Sequence, residues 1–556
     1  MDEVDGAHDP TGKLELTWAN KGDRLLSHGE ATYEWVGPTD WRVSEVRLLH
    51  PVSTVGDPAA GNLLITGDAL HILTALTSLP ELRDEYLGKV RCVYIDPPFN
   101  TQQTFATYDD AVEHSVWLTM LRDRLTQIKA LLAPDGSVWV HVDDYEQHRA
   151  RCVMDEVFGA DRFVATVVWQ KRYSRDNRPA IGAVHDYIHV YSPMGGKWKD
   201  HRNRVVRQGA KQYRNPNNDK RGRWRPIPLD VQAGHATKSQ FYPVTTPAGV
   251  IHKPAAGRAW SLTKPRMDEL IAQGHVYFGK DGRGKPNLIR YLDEDEGLVP
   301  WTWWPHEEVG HNDEAKKEIL ELFPDVEAFD TPKPERLLAR IIGIATNEGD
   351  IALDCYAGSG TTAAVATKMG RRWVTSEVNV NTVATYTRPR LEAVVKGADP
   401  GGVTTAAEWE GGSGFTEAAV GASMFEQIDG VVILADWATG GALAEAVCAQ
   451  VGYRLEPDVP FIGRKGRTRL AVLDGMLTVD VADFLLAQLE PAERLLIVAQ
   501  SLEPGVEDYV REQRPGSRAR KVPRDLAHAS VLTSRLVHLN PQSKAPKAPE
   551  QEREQP

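Results

Sequence analysis

An acidic residue followed by two prolines and an aromatic ring, Asp96-Pro97-Pro98-Phe99, is the feature that most constrains this chain. The six residues before it, 90 to 95, are mostly apolar and β-branched, which predicts a buried parallel strand. Ligands bind at the carboxyl ends of such strands. An exocyclic amino group of a base needs two acceptors and a flat surface, and an Asp, a carbonyl left free by the prolines and a ring supply them. Taken alone, these residues are equally typical of a polar turn.

A glycine loop far downstream follows a second short strand, which the apolar residues 351 to 353 predict. The chain then continues as Asp354-Cys355-Tyr356-Ala357-Gly358-Ser359-Gly360-Thr361-Thr362. An Ala-rich helix is predicted at 363–369, and a further strand at 372–376 ends at Glu377. Strand, glycine loop, helix, strand and acid together form the layout of an adenosyl-cofactor pocket.

The same loop also fits the G-x-G-x-x-A fingerprint of a nicotinamide-dependent enzyme, which carries an acid about 20 residues further on. That alternative is weakened by Asp354, because a carboxylate would repel a pyrophosphate. The same carboxylate suits the ammonium and sulfonium charges of S-adenosylmethionine. The nicotinamide enzyme therefore stays a distant alternative.

In their order along the chain, these segments resemble the circularly permuted β group of DNA amino-methyltransferases and, more closely, the modification (Mod) subunits of type III restriction systems. The resemblance runs from about residue 13 to 414, and Phe99 stands where Tyr is commoner. Further matching stretches lie at residues 62–68, 114–118, 135–136, 143–144, 169–171 and 331–335. The resemblance implies an α/β fold, a circularly permuted Rossmann-like methyltransferase sheet with an inserted target-recognition region and a small C-terminal α/β domain.

The resemblance also implies roles for individual residues. The implied catalytic residues are Asp96, Pro97, Pro98 and Phe99. The implied S-adenosylmethionine-binding residues are Asp354, Tyr356, Gly358, Gly360, Thr361, Glu377, Lys333 and Asp68. Among these, Asp354 belongs to the methionine end and Glu377 to the ribose. Lys333 alone is equally typical of an exposed helix start, and Asp68 could reach the adenine or merely cap a helix.

The implied reaction is direct methyl transfer to the N6 amino group of an adenine flipped out of DNA. Asp96 and the Pro97 carbonyl would accept hydrogen bonds from that amino group, and Phe99 would stack on the base. Cytosine N4 is an alternative, because its amino group satisfies the same acceptors; Asp begins the motif in most N6 enzymes of the family. A second alternative is a DNA-binding subunit of a defence complex with little methylation activity.

Although the net charge of the whole chain is −12, one segment of it is strongly basic. Between Lys171 and Arg225 there are 15 Lys and Arg against 4 Asp. This stretch predicts phosphate contacts with double-stranded DNA, for which the candidates are Lys171, Arg172, Arg221, Arg223 and Arg225. Interleaved aromatic residues would add stacking, namely Tyr173, Trp198, Tyr213 and Trp224. A solvated charged loop is the alternative.

The changing residue pattern predicts seven segments. They are an N-terminal arm (1–60), the catalytic half of the methyltransferase domain (61–169), a target-recognition region (170–325), the cofactor-binding half (326–395), a connector (396–423), a C-terminal α/β domain (424–540) and a disordered tail (541–556). Within the catalytic half, apolar residues at helical spacing from Val116 to Leu132 predict a helix that packs on the sheet. A turn at Pro134–Gly136 should lead into a strand at 137–142.

The cysteine content and the distribution of apolar residues indicate in which cellular compartment the protein is expected. Four cysteines, none in a CxxC pair, argue against a disulfide scaffold or a structural zinc site, so no metal is expected. The acidic start lacks a signal-peptide pattern and no apolar run reaches membrane-spanning length, which predicts a cytoplasmic protein. We expect a homodimer, with a restriction or helicase subunit or other phage-defence proteins as possible further partners.

Overall fold

The computed structural model describes residues 15–27, 33–98, 113–174, 180–205, 214–215, 219–291, 297–327 and 329–527. Phe99, Tyr213 and the predicted tail at 541–556 lie outside these ranges. The chain divides into two compact units, one comprising Met1–Asn203 with Trp301–Pro556 and the other Arg204–Pro300. The predicted recognition region, 170–325, encloses the second unit.

A ten-stranded sheet forms the centre of the first unit, counted over the described residues. In chain order its strands are β1 (Leu49–Gly56), β2 (Leu63–Thr66), β3 (Val90–Ile95), β4 (Leu132–Val142), β5 (Phe163–Gln170), β6 (His185–Tyr191), β7 (Trp303–Trp304), β8 (Ile351–Asp354), β9 (Arg372–Glu377) and β10 (Gly414–Val420). Their order across the sheet is β7-β5-β6-β4-β3-β8-β9-β2-β10-β1.

The middle of this sheet is parallel, from β4 through β3, β8, β9 and β2 to β10. The strand before Asp96 therefore pairs with the strand before Asp354, with Val93 opposite Leu353. The two halves predicted from separate motifs thus build one continuous sheet, and the predicted fold class is confirmed. Buried β-branched and apolar residues fill these strands, as expected where helices cover both faces.

Helices pack on the sheet. Before residue 400, the longer ones in the described part of the first unit are Ala69–Ser78, Pro80–Tyr86, His114–Leu131, Gln147–Phe158, Asn312–Leu322, Glu335–Ala345, Thr361–Lys368 and Arg388–Val395. The predicted helix beginning near Val116 is confirmed, and its apolar stripe, including Trp117 and Leu121, is buried. The predicted strand at 137–142 is confirmed, because it pairs regularly with β3 from Ser137 onward. The predicted turn at Pro134–Gly136 lies inside β4, which starts at Leu132, and its residues form an irregularity where the register against β3 shifts.

The N-terminal arm is more regular than its sequence predicts. Residues Arg24–Ser27 and Tyr33–Val36 pair as a hairpin, and β1 pairs with β10 at the sheet edge. This pairing joins segments distant in the chain, so local periodicity does not show it. Two tryptophans of the arm contact the rest of the first unit: the Trp18 indole donates to the Thr119 hydroxyl at 2.8 Å, and Trp41 packs edge-on against Phe425.

The second unit has its own small sheets and core. Its strands, as far as described, are Trp224–Pro228, Asp230–Gln232, Val244–Thr245, Ile251–His252, Arg258–Trp260, Val276–Tyr277 and Asn287–Tyr291, with a helix at Lys264–Ala272. Tyr242, Trp260, Met267 and Phe278 are among its core residues. Trp224 is also buried, so its predicted role in stacking on DNA is wrong.

The C-terminal segment adds a second sheet to the first unit. Its five described strands are Arg454–Asp458, Phe461–Lys465, Thr468–Leu477, Arg494–Leu502 and Arg518–Lys521, next to a hairpin of Phe425–Ile428 and Val431–Leu434. Its helices are Gly440–Val451, Val479–Ala487, Val506–Gln513 and Arg524–Ala527. The mixture of strands and helices predicted for 424–540 is present from 425 to 527, whereas its being a separate domain stays a prediction. The predicted connector already enters the main sheet at Gly414, where β10 begins.

Among the described helices, none combines the length and apolar composition needed to span a membrane.

Candidate active site

Four acidic residues lie at the ends of four neighbouring parallel strands. Asp96 follows β3, Asp354 ends β8, Glu377 ends β9 and Asp68 lies two residues beyond β2. Because these strands are adjacent in the order β3-β8-β9-β2, the acids follow one another along one edge of the sheet. All four line one cavity of about 540 Å³. Two motifs that are far apart in sequence therefore share a single site.

The cavity gathers most of the predicted cofactor and catalytic residues. Those that line it are Asp68, Asp96, Pro97, Pro98, Lys333, Asp354, Tyr356, Gly358, Thr361 and Glu377. Gly360 does not line it, but its φ of 79° at the start of the helix Thr361–Lys368 is a left-handed conformation that favours glycine. A Cβ there would also stand 3.1 Å from the Thr387 Cγ2 atom. Phe99 lies outside the described residues.

The two oxygens of the Asp96 carboxylate have different surroundings. The Lys333 ammonium donates to Oδ2, and this lysine is itself buried. Oδ1 is buried and, within the described ranges, has no hydrogen-bond partner. The indole of Trp117 donates to the Pro98 carbonyl at 2.5 Å, which anchors the two prolines. Trp117 is thus a core residue, as expected, that also positions the loop carrying Asp96.

Asp354 is a fully buried acid without a cationic partner in the described part of the chain. The Thr362 hydroxyl donates to its Oδ2 at 2.5 Å and the Tyr356 backbone N–H to its Oδ1 at 3.0 Å. Burial raises the pKa of Asp354 to about 8, and the nearby charges of Asp96 and Glu377 act in the same direction. A cationic ligand would lower that pKa again, because it favours the ionised carboxylate.

Glu377 holds the glycine loop in place. Its Oε2 accepts the Gly358 N–H at 2.9 Å and its Oε1 accepts the Asn379 N–H at 3.0 Å. Burial raises the pKa of this carboxyl group as well. The sequence predicts that Glu377 binds ribose; its position in the cavity is compatible with that role, which stays a prediction.

Asp68 and Arg124 form an ion pair in the wall of the cavity. The Asp68 Oδ1 accepts the Leu70 N–H at 2.7 Å, which caps the helix Ala69–Ser78, and the Arg124 Nη2 at 2.8 Å. Burial alone would raise the pKa of Asp68, but the Arg124 charge and the cap lower it. Sequence reasoning missed Arg124, although a charged residue on the apolar stripe of a core helix is an available signal.

The predicted DNA-binding residues divide between the two units. In the first, Lys171 donates to the buried Asp186 at 2.5 Å, and Arg172 is exposed. In the second, Arg221 pairs with Asp219 at 3.2 Å, Arg223 is exposed and Arg225 is half-buried. Their contact with DNA stays a prediction. Trp198 is buried, so its expected stacking role is wrong, whereas Tyr173 is 61% exposed.

In the part of the chain that the structure describes, no cluster of His, Cys, Asp and Glu has the arrangement of a metal site. Cys355 lies in the cavity wall, and burial raises the pKa of its thiol.

Comparison with known proteins matches residues 90–388 to a family model described as DNA methylase, N6_N4_Mtase. The StyLTI Mod subunit of a type III restriction-modification enzyme from Salmonella typhimurium is 33% identical over 344 residues, covering 54% of this chain and 49% of that protein. The probable HindVI Mod subunit of Haemophilus influenzae is 28% identical over 420 residues, 65% of this chain and 54% of the relative. The type II methyltransferase M.EcaI of Enterobacter cloacae is 28% identical over 303 residues, covering 51% of this chain and 61% of that protein. The chain thus spans about half the length of the two Mod subunits.

Proposed function

Because this chain belongs to the DNA methylase family N6_N4_Mtase, we propose that it is an adenine-specific DNA methyltransferase. It would transfer a methyl group from S-adenosylmethionine to the N6 amino group of a flipped-out adenine at a specific site in double-stranded DNA.

The observation that carries this proposal is that only one oxygen of the Asp96 carboxylate accepts a hydrogen bond within the described residues. Lys333 occupies Oδ2, which leaves the buried Oδ1 as an acceptor for one N–H of the incoming amino group. The Pro97 carbonyl would accept the other N–H. Hydrogen bonds to these two acceptors would reduce delocalisation of the nitrogen lone pair into the ring and orient it toward the methyl group. The barrier to methyl transfer would therefore be lowered by positioning of the amino group, without its prior deprotonation. As the new N–C bond forms, the C–S bond to the sulfonium would break and S-adenosylhomocysteine would leave. The methylated nitrogen would then lose one proton to the hydrogen-bonded Asp96 carboxylate, which would pass it to water.

The lining of the cavity fits the cofactor. S-adenosylmethionine would supply an electrophilic methyl group on a sulfonium, together with an ammonium group. Of the four acids, two are paired with cations, Asp68 with Arg124 and Asp96 with Lys333. In the described residues, Asp354 and Glu377 form no ion pair, so Asp354 can face the cationic part of the ligand and Glu377 the ribose hydroxyls. A dinucleotide pyrophosphate would meet the same excess of carboxylates, which disfavours the nicotinamide alternative.

The setting of the activity is part of the proposal. Like the Mod subunits that it resembles, the chain would act in a restriction-modification or phage-defence system in the cytoplasm. We expect it to form a homodimer and to work with a restriction or helicase subunit or other defence proteins. The basic residues from Lys171 to Arg225 would contribute to DNA binding.

The test is mass spectrometry of nucleosides from unmethylated DNA incubated with the protein and S-adenosylmethionine. We expect N6-methyladenine from the unaltered chain and none from Asp96→Asn. The control is Asp350→Asn, which alters another partly buried, ion-paired Asp that does not line the cavity and should leave the yield unchanged.

Other products would revise the proposal in defined ways. N4-methylcytosine would keep the mechanism and replace the target base. The absence of any methylated base from folded protein that binds the cofactor would favour a DNA-binding subunit with little activity of its own.

A further inference from the structure

A line of four hydrogen-bonded polar side chains crosses the sheet and ends in the cavity wall. The Tyr94 hydroxyl bonds to the Nδ1 atom of His141 at 2.8 Å, and the Nε2 atom of His141 lies 3.3 Å from Oδ2 of Asp186. The Lys171 ammonium donates to Oδ1 of the same carboxylate at 2.5 Å. The first three residues are buried in the neighbouring strands β3, β4 and β6, and the lysine directly follows β5. A polar line inside a sheet is stable only if each of its protons has a defined place.

The charges at the lysine end fix the direction of every hydrogen bond in the line. Burial raises the pKa of Asp186, but the His141 hydrogen bond and the Lys171 charge outweigh it and hold this pKa below its ordinary value, so the residue is a carboxylate. A carboxylate only accepts, which places a proton on Nε2 of His141. Because Lys171 already balances the negative charge, a neutral imidazole leaves no surplus charge buried, and its Nδ1 is then an acceptor. The Tyr94 hydroxyl must therefore donate to Nδ1.

The direction of this bond decides what Tyr94 offers to the cavity, whose wall it shares with Asp96. Tyr94 precedes Asp96 by two residues, so both point to the same face of the sheet. Burial, together with the charges of neighbouring acids, raises the pKa of Tyr94 well above its ordinary value, and the hydroxyl keeps its proton. Since that proton is committed to His141, only the lone pairs of the oxygen can face a ligand. The hydrogen bonds behind it make this oxygen more negative.

An oxygen of this kind suits the reaction of the proposed methyltransferase. Methyl transfer moves positive charge from the sulfonium to the target amino nitrogen, as the N–C bond forms and the C–S bond breaks. A negative oxygen that is fixed in advance stabilises such a charge without having to reorient during the reaction. A hydroxyl free to rotate would offer its proton as readily as its lone pairs, and the hydrogen bond to His141 prevents that rotation.

We propose that Tyr94 is a further catalytic residue, whose oxygen faces the reacting amino nitrogen and stabilises the positive charge that arrives there. His141, Asp186 and Lys171 are the positioning residues that hold this oxygen as an acceptor. The inference rests on the proposed function and deepens it. It also gives Lys171 a role other than the predicted contact with DNA, because its ammonium group keeps Asp186 ionised.

The test measures the rate of a single methyl transfer at saturating S-adenosylmethionine and DNA, together with the dissociation constants of both. Tyr94→Phe should lower that rate at least about tenfold and leave both dissociation constants within about twofold, because the charge reaches the nitrogen only during the transfer. Tyr191→Phe is the matched control. This tyrosine is buried in β6 of the same sheet, donates to Asp155 at 2.6 Å and lies outside the cavity wall.

Asp186→Asn keeps the shape of the line and reverses its direction. The amide oxygen would stay with Lys171, so the amide N–H would point to Nε2 of His141 and move the ring proton to Nδ1. The Tyr94 hydroxyl would then turn its proton into the cavity. This variant should be slowed at least as much as Tyr94→Phe, whereas adding it to Tyr94→Phe should cost less than about twofold more. Additive losses would mean that the two residues act independently and would overturn the role of the line.

A further measurement concerns the unaltered protein. The nitrogen NMR shifts of isotope-labelled histidine should show Nε2 of His141 protonated and Nδ1 bare, and the loss of this signal in His141→Gln assigns it. A proton on Nδ1, or an unchanged rate in Tyr94→Phe, would overturn the role of Tyr94 and leave the methyltransferase assignment standing. Failure of the unaltered protein to bind S-adenosylmethionine or to methylate DNA would overturn the proposed function and this inference with it.

Discussion

The proton on Asp354 makes the binding of a cationic ligand dependent on pH. Burial raises the pKa of this carboxyl group to about 8, so it is protonated in the empty cavity at pH 6. A ligand with ammonium and sulfonium charges favours the carboxylate, and its binding must then expel one proton. Each pH unit below the pKa costs about 1.4 kcal/mol, or about tenfold in affinity. The dissociation constant of S-adenosylmethionine should therefore fall about 100-fold between about pH 5.5 and 7.5.

The assay is isothermal titration calorimetry across this pH range, repeated at one acidic pH in buffers with different ionisation enthalpies. The buffer series measures proton release directly, and we expect about one proton per bound ligand near pH 6. The α-amino group of the ligand stays mostly protonated over this range, and almost fully so near pH 6, because such groups have a pKa of about 7.7–8.0. Asp354→Asn is the control and should remove both the slope and the proton release, while its affinity falls.

Folding stability gives an independent check on the same proton. The folded carboxyl group has a higher pKa than an Asp in the unfolded chain, so the folded state binds more protons between about pH 4 and 8. The contribution of Asp354 to the stability of the ligand-free protein must then decrease as the pH rises through this window. Asp354→Asn should flatten that decrease in thermal melts. A dissociation constant that stays level from pH 5.5 to 7.5, without proton release, would refute the reasoning.

Two further predictions concern the catalytic loop and the basic region. Trp117→Phe removes the hydrogen bond to the Pro98 carbonyl and should lower turnover about 3- to 10-fold with cofactor affinity unchanged. The control is Trp139→Phe, which loses a buried hydrogen bond to Ser137. Equal turnover in both variants would contradict the positioning role of Trp117. The double variant Arg223→Ala/Arg225→Ala should reduce the salt slope of DNA affinity, measured by fluorescence anisotropy, by up to about 2, because each lost phosphate contact removes about 0.9. Lys396→Ala, an exposed charge in the first unit, should not change that slope, and a slope unaltered by the double variant would place the DNA elsewhere.

Local features of this protein were determined by its sequence. The strand β3 and the acid after it follow from a short β-branched run ended by prolines, and the loop at Gly360 from the need for a left-handed residue at a helix start. The helix His114–Leu131 follows from its apolar stripe. These elements depend on neighbours a few residues away, which is the range over which periodicity and turn chemistry act.

Relations between distant segments were decided only by the tertiary structure. The pairing of Lys333 with one oxygen of Asp96, and of Arg124 with Asp68, depends on strands and helices that meet from different parts of the chain. The same holds for Lys171, a predicted DNA contact whose ammonium group bonds to the buried Asp186, and for Trp198, which packs inside. Burial and charge pairing follow from which surfaces meet in three dimensions, and the spacing of residues in one segment does not contain that information.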